Sequence, residues 1–238
     1  GLQAGYANAV YFGNTGVGSL ALYNNTGSSN TAVGGNNNVT EAALQSNTTG
    51  AYNTAIGVSA LGKNTTASNN TAVGYRAAYS NTTGSENTAV GRYALDANTT
   101  GNDNTGVGMN AGSSTTTGNY NTSVGAYALN SNTTASNNTA VGYQAAYSNV
   151  TGTRLAAFGY GALYSNTASY NSAFGAFAAY FNAGGSDNSA FGDQSLYSNT
   201  SGSFNVAVGR AALSSNTTAS NNTAVGYQAG YSNTTGAY

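Results

Sequence analysis

The phrase "NTAVG" stands at Asn70, Asn87 and Asn138, with "NTAIG" at Asn53, and it sets the period of the whole chain. Taking the glycine that closes each such phrase as a marker gives Gly1, Gly18, Gly34, Gly57, Gly74, Gly91, Gly108, Gly125, Gly142, Gly159, Gly175, Gly192, Gly209 and Gly226. The step is seventeen residues almost throughout, sixteen twice, and twenty-three from Gly34 to Gly57. The consensus reads N-T-A-V-G-Y-x-A-[AL]-Y-S-N-T-T-G-S-x. Self-similarity at a fixed short period is the mark of a stacked repeat. Residues 1–238 therefore read as one repeat array, with 35–52 an enlarged coil carrying an insertion of about six residues. The first and last residues fit the consensus, as expected of a window on a longer array.

Seventeen residues are too few for the two-helix repeats, which need more than thirty. Within "TAVG", Thr and Val alternate with Ala and Gly, the period of a strand. The reading is all-β: a β-solenoid (parallel β-roll) of about fourteen coils with a 17-residue repeat. At roughly 4.8 Å per stacked strand, such an array is a rod on the order of 65 Å long. The alternation is read with the Thr row inward. The second phrase, "YQAAYSN" or "RYALDAN", is read as a second short strand in preference to one helical turn. "TTGS" turns the chain through glycine and side-chain to backbone bonds. Phe174 and Phe191, in place of Val, predict a wider or differently filled core there.

Energetics demand stacking. Ordering the backbone costs roughly 1–2 kcal/mol per residue, while one coil offers two or three small apolar side chains at roughly 1.5–3 kcal/mol each. Neighbouring coils must supply the balance through backbone ladders and rows of identical side chains. The Asn that opens each phrase is accordingly read as a structural ladder: Asn53, Asn70, Asn87, Asn104, Asn121, Asn138, Asn171, Asn188, Asn205 and Asn222.

The "NTAVG" phrases resemble the "SVAIG" repeat of trimeric autotransporter adhesin heads. With the "GYQA" that follows at Gly142 and Gly226, they also resemble Asn-rich repeats of phage tail-fibre and bacterial surface-fibre proteins. The adhesin resemblance implies a left-handed parallel β-roll of three chains, with Ala72 and Ala89 facing the threefold axis. It also implies self-association into a fibre or homo-oligomer at an extracellular, cell or virion surface.

Charged residues make up only 5% of the chain, with five Lys and Arg in all, so nucleic acid is not an expected partner. No apolar run approaches a membrane span, so membrane insertion is not expected. With no His and no Cys, and with Glu41, Glu86, Asp96, Asp103, Asp187 and Asp193 dispersed, no acid–base pair, nucleophile or metal set emerges. Asp187 and Asp193 flank one strand, close enough to meet, and read as solvated turn residues in preference to a pair. The chain reads as a non-enzyme without cofactors.

A surface so poor in charge needs another source of solvation, and the sequons offer one. Asn47, Asn64, Asn81, Asn98, Asn132, Asn199, Asn216 and Asn233 precede x-Ser/Thr at one phase of the coil and are candidate glycan acceptors. A second set, such as Asn69, Asn137 and Asn221, precedes the strand, and neighbouring Thr hydroxyls are alternative O-linked sites. Tyr75, Tyr143, Tyr160 and Tyr227, with Tyr79, Tyr147, Tyr164 and Tyr231, read as stacked ladders or as a sugar-binding platform. The functional expectation is a structural component of an extracellular fibre, with a receptor-binding adhesin or tail-fibre shaft as the alternative. Ice binding by the Thr row Thr71, Thr88, Thr105, Thr122 and Thr139 is a third reading, disfavoured if that row faces inward.

Overall fold

The computed structural model describes residues 3–6, 12–36 and 41–236. Among these residues there are thirteen strands and no helix. Two compact units, Gly1–Tyr120 and Asn121–Tyr238, are described in turn. The first holds β1 (Thr15–Val17), β2 (Thr31–Val33), β3 (Thr54–Ile56), β4 (Thr71–Val73), β5 (Thr88–Val90) and β6 (Thr105–Val107). The second holds β7 (Thr122–Val124), β8 (Thr139–Val141), β9 (Ala156–Phe158), β10 (Ser172–Phe174), β11 (Ser189–Phe191), β12 (Val206–Val208) and β13 (Thr223–Val225). Each strand ends one residue before a marker glycine, and each repeat is one coil of a parallel β-solenoid.

Register follows the repeat residue for residue. Thr54, Ala55 and Ile56 pair with Thr71, Ala72 and Val73, which pair in turn with Thr88, Ala89 and Val90. Position β10 against β11 shows the same alignment, Phe174 on Phe191. Identical side chains therefore stack at the strand spacing, about 4.8 Å.

The direction of the faces corrects the reading of the strand. Ala72, Ala89 and Ala140 are fully buried, while Thr71, Val73, Thr88 and Val90 are half-exposed. A coil this tight leaves room inside for one small strand residue, which meets Ala77 and Ala78, or Ala94 and Leu95, from the other side of the same coil. The wider side chains go outward. Where the strand residue shrinks to Gly106, Leu95 fills the space: an added Cβ would stand 2.9 Å from its Cγ. Phe174 and Phe191 also point outward, 37% and 40% exposed, so the core is not widened there. Ala72 and Ala89 lie within the coils' own core, not on an axis shared by three chains.

The second phrase is neither strand nor helix. From Gly74 to Asn81 it forms two turns in series: Ala77 N–H donates to the Gly74 carbonyl at 3.3 Å and Asn81 N–H to the Ala78 carbonyl at 3.2 Å. Within them the chain takes left-handed conformations at Arg76 (φ 55) and Ala78 (φ 48). Alternating right- and left-handed residues keep the arc nearly in the plane of the coil, so peptide groups point along the stack. Arg76 N–H reaches the Val58 carbonyl of the preceding coil at 3.0 Å, and Ala78 N–H the Ala94 carbonyl of the next at 2.9 Å. A non-glycine residue in this region costs about 1–2 kcal/mol, which these bonds between coils offset. The marker glycine is required by the same stacking: at Gly74 (φ 133) a Cβ would meet the Gly91 carbonyl at 2.7 Å.

The enlarged coil departs from the others between β2 and its first turn. Leu44 and Asn47 already occupy the places that Leu61 and Asn64 hold one coil later, with Leu44 N–H bonded to the Ala60 carbonyl. Part of the insertion, residues 37–40, lies outside the described residues.

Candidate functional site

Two columns of asparagine run through each unit beneath the surface. The column that opens each strand passes hydrogen bonds from coil to coil. Asn70 Oδ1 accepts the backbone N–H of Asn87 at 2.9 Å and its Nδ2–H at 3.2 Å, and Asn87 Nδ2 donates to the Gly101 carbonyl at 2.8 Å. Asn53 and Asn104 hold equivalent places, with Asn53 Oδ1 accepting Asn70 N–H and Asn87 Oδ1 accepting Asn104 N–H, both at 3.0 Å. In the second unit Asn138 N–H donates to Asn121 Oδ1 at 3.1 Å, and Asn171, Asn188, Asn205 and Asn222 are linked in succession. Leu155 interrupts that column, yet its N–H is still accepted by Asn138 Oδ1 at 3.0 Å.

The second column consists of the sequon asparagines, and the structure turns these side chains inward rather than presenting them as acceptors. Asn47, Asn64, Asn81, Asn98, Asn132, Asn199 and Asn216 are all fully buried. Asn81 Nδ2 donates to Asn64 Oδ1 at 2.9 Å and to the Gly84 carbonyl, three residues on, at 2.8 Å. Asn98 repeats this with Asn81 and Gly101. Asn233 is half-buried and donates to the Gly236 carbonyl at 2.8 Å. A sugar on Nδ2 would remove one of these N–H groups and needs a space that the stacked coils do not leave. The same Asn-Thr-Thr-Gly string that spells a sequon also spells a side-chain-closed turn, and the turn is what the fold uses.

Exposed groups lie beside these columns. The second Thr of the turn faces solvent at Thr66, Thr83, Thr100 and Thr117, and again at Thr134 and Thr218. Asn69, Asn137 and Asn221 are exposed in left-handed conformations, with φ 61, 63 and 62. Sequence reasoning named the last three as a second set but did not rank them above the turn set. Their place immediately before a buried, strand-opening Asn was the available signal.

The tyrosines stack on one another. Tyr147, Tyr164, Tyr180 and Tyr197 form a continuous ladder with centroids 5.1, 4.8 and 5.6 Å apart, and Tyr143 lies on Tyr160 at 5.4 Å. Stacking occupies the ring faces and leaves edges outward, which is unsuited to a platform for sugar rings. Tyr75 and Tyr227 remain exposed, and so does Tyr231.

Charge gathers at one place in the first unit. Arg76 binds Asp96 through two bonds, Nε to Oδ1 at 3.0 Å and Nη2 to Oδ2 at 3.2 Å, and lies over the Tyr79 ring at 4.3 Å. Lys63 covers the same ring at 4.8 Å, and Tyr79 donates its hydroxyl proton to Glu41. Burial, then the bond to Glu41, pushes the Tyr79 phenol up to about 12. Burial also raises the Asp96 carboxyl, against the lowering effect of Arg76. These cations and acids satisfy one another. In the second unit Asp193 pairs with Arg210 at 3.3 Å, while Asp187 stays exposed across β11. Among the described residues no three acidic side chains come together as metal ligands, and no helix is long and apolar enough to cross a membrane.

No family model, curated protein or solved structure matches the chain.

Proposed function

We propose that this chain is a structural segment of an extracellular fibre. The observation that supports the reading is the distribution of bonds around each coil. The coil 71–87 is tied to the next by backbone bonds at the end of the strand (Gly91 N–H to the Val73 carbonyl), at the arc (Ser80 N–H to the Asp96 carbonyl) and at the turn (Thr82 N–H to the Thr99 carbonyl). Two buried amide columns and the Thr82 hydroxyl, which donates to the Thr99 carbonyl at 3.0 Å, add to them. Load along the stack is thus shared over the whole circumference, and little side-chain chemistry is held back for catalysis. Self-association into a fibre or homo-oligomer is part of this reading. A covalent sugar coat, if the fibre carries one, attaches at exposed groups such as Thr83, Thr100 or Asn69, not at the buried turn asparagines.

The test is immunogold electron microscopy of source cells and their shed material, using antibody raised against the folded chain. Gold along thin fibres outside the cell is the expected result. Label confined to the cell interior overturns the proposal.

A further inference from the structure

We propose that the outward face of β2 to β6 in the first unit binds ice. The face consists of two parallel rows: Thr31, Thr54, Thr71, Thr88 and Thr105 in one, Val33, Ile56, Val73, Val90 and Val107 in the other. Strand pairing holds each row in register, Thr on Thr and Val or Ile on Val. Repeats are therefore about 4.8 Å along the stack and about 6.6 Å across it, two strand residues apart. Both lie near the short lattice repeats of the prism face of hexagonal ice. The rows are half-exposed, Ile56 reaching 41%, and carry no charged group.

Three hydroxyls at the centre of this face, on Thr54, Thr71 and Thr88, differ from those of the turns. Thr65, Thr82 and Thr99 spend theirs on carbonyls of the next coil, at 2.9, 3.0 and 3.1 Å. Those of Thr54, Thr71 and Thr88 make no hydrogen bond within the protein. A regular lattice of methyl groups with the free hydroxyls of Thr54, Thr71 and Thr88 between them holds water in ordered positions, and a rigid sheet does so without ordering cost at the moment of contact. The second unit lacks such a face. Ala156, Ser172, Ser189 and Val206 interrupt its Thr row, and Phe158, Phe174 and Phe191 its Val row.

The experiment uses the full chain in nanolitre osmometry and ice-recrystallisation assays, with circular dichroism and sedimentation run in parallel. The wild type is expected to shape ice crystals and show thermal hysteresis. Thr71→Lys with Thr88→Lys should lose most of that hysteresis while keeping the β signal. Thr83→Lys with Thr100→Lys, on the exposed turn, should retain it. Should the first pair fail to fold, Thr71→Tyr with Thr88→Tyr, which keeps strand propensity, is the substitute. A folded wild type without hysteresis or crystal shaping overturns the proposal, as does equal loss from face and turn variants. Sedimentation as an oligomer without hysteresis overturns it too.

Discussion

Asn98 is the point where the sequon column of the first unit breaks. Its Nδ2 is bonded on both sides, but its Oδ1 is buried with no hydrogen-bond partner, because the next coil presents Thr115 where an Asn would donate. A buried acceptor left unmet costs about 1–3 kcal/mol. Thr115→Asn is therefore expected to stabilise the protein by about that amount, read as a higher denaturant midpoint at unchanged slope. Tyr79 provides a second residue-scale prediction. Its folded-state phenol titrates near 12 against an ordinary 10, so its protonated form is favoured by folding. That contribution is complete below pH 10 and is lost as pH rises through about 12, where the phenolate would face Glu41. The loss of stability between pH 10 and 12 should be shallower in Tyr79→Phe, followed by denaturant titration across that window. At this scale the sequence announces which residues recur but not which way they point. Asn47 and its equivalents carry a legible sequon, yet whether the amide faces water or the Gly50 carbonyl depends on a turn geometry that composition does not encode.

The coil itself was half legible. "TAV" alternates cleanly, and it or its equivalent forms each of the thirteen described strands, but alternation leaves the sign of the faces open. Size decides it: only Ala, Gly or Ser fits inside, so Thr and Val turn out. The arc after Gly74 was less accessible, because left-handed Arg76 and Ala78 are imposed by bonds to neighbouring coils against local preference. The two sixteen-residue coils make a prediction at this scale. Both run from Asn to the turn through a single residue, Asn25-Thr26-Gly27 and Asn166-Thr167-Ala168, where Asn81-Thr82-Thr83-Gly84 has two. Each then closes a bond between its own two asparagines, Asn30 Nδ2 to Asn25 Oδ1 at 3.1 Å and Asn171 Nδ2 to Asn166 Oδ1 at 2.9 Å. The missing residue is the exposed second Thr. Deleting Thr83 should cost no more than about 0.5 kcal/mol, as for a surface change. Deleting buried Ala77 removes a core contact and the turn bond to Gly74, and should abolish the cooperative transition in thermal melts.

At the scale of the molecule, period was the most legible quantity, since a fixed step in sequence becomes a fixed step in space when coils stack in register. The cores reflect this, each being a column of Ala and Leu contributed coil by coil. In such an array stability is a sum of coil terms and nearest-neighbour interfaces, and an interior coil is interchangeable with a copy of itself. The coil 71–87 meets this condition: Thr71, Ala72 and Val73 pair in register with Thr88, Ala89 and Val90, and Asn70 already passes its bonds to Asn87. Inserting a second copy of residues 71–87 directly after Asn87 should therefore lengthen the first unit by one coil and leave both flanking interfaces unchanged. The expected outcome is an identical circular-dichroism spectrum per residue and a larger denaturant slope, because more surface is exposed on unfolding. A control carrying the same insert with one further residue inside its TAV segment shifts inward and outward side chains by one place, exposing Ala and burying Thr or Val where only a small residue fits. That control should melt at lower temperature than the wild type, and equal tolerance of both insertions would show that register does not hold the stack together.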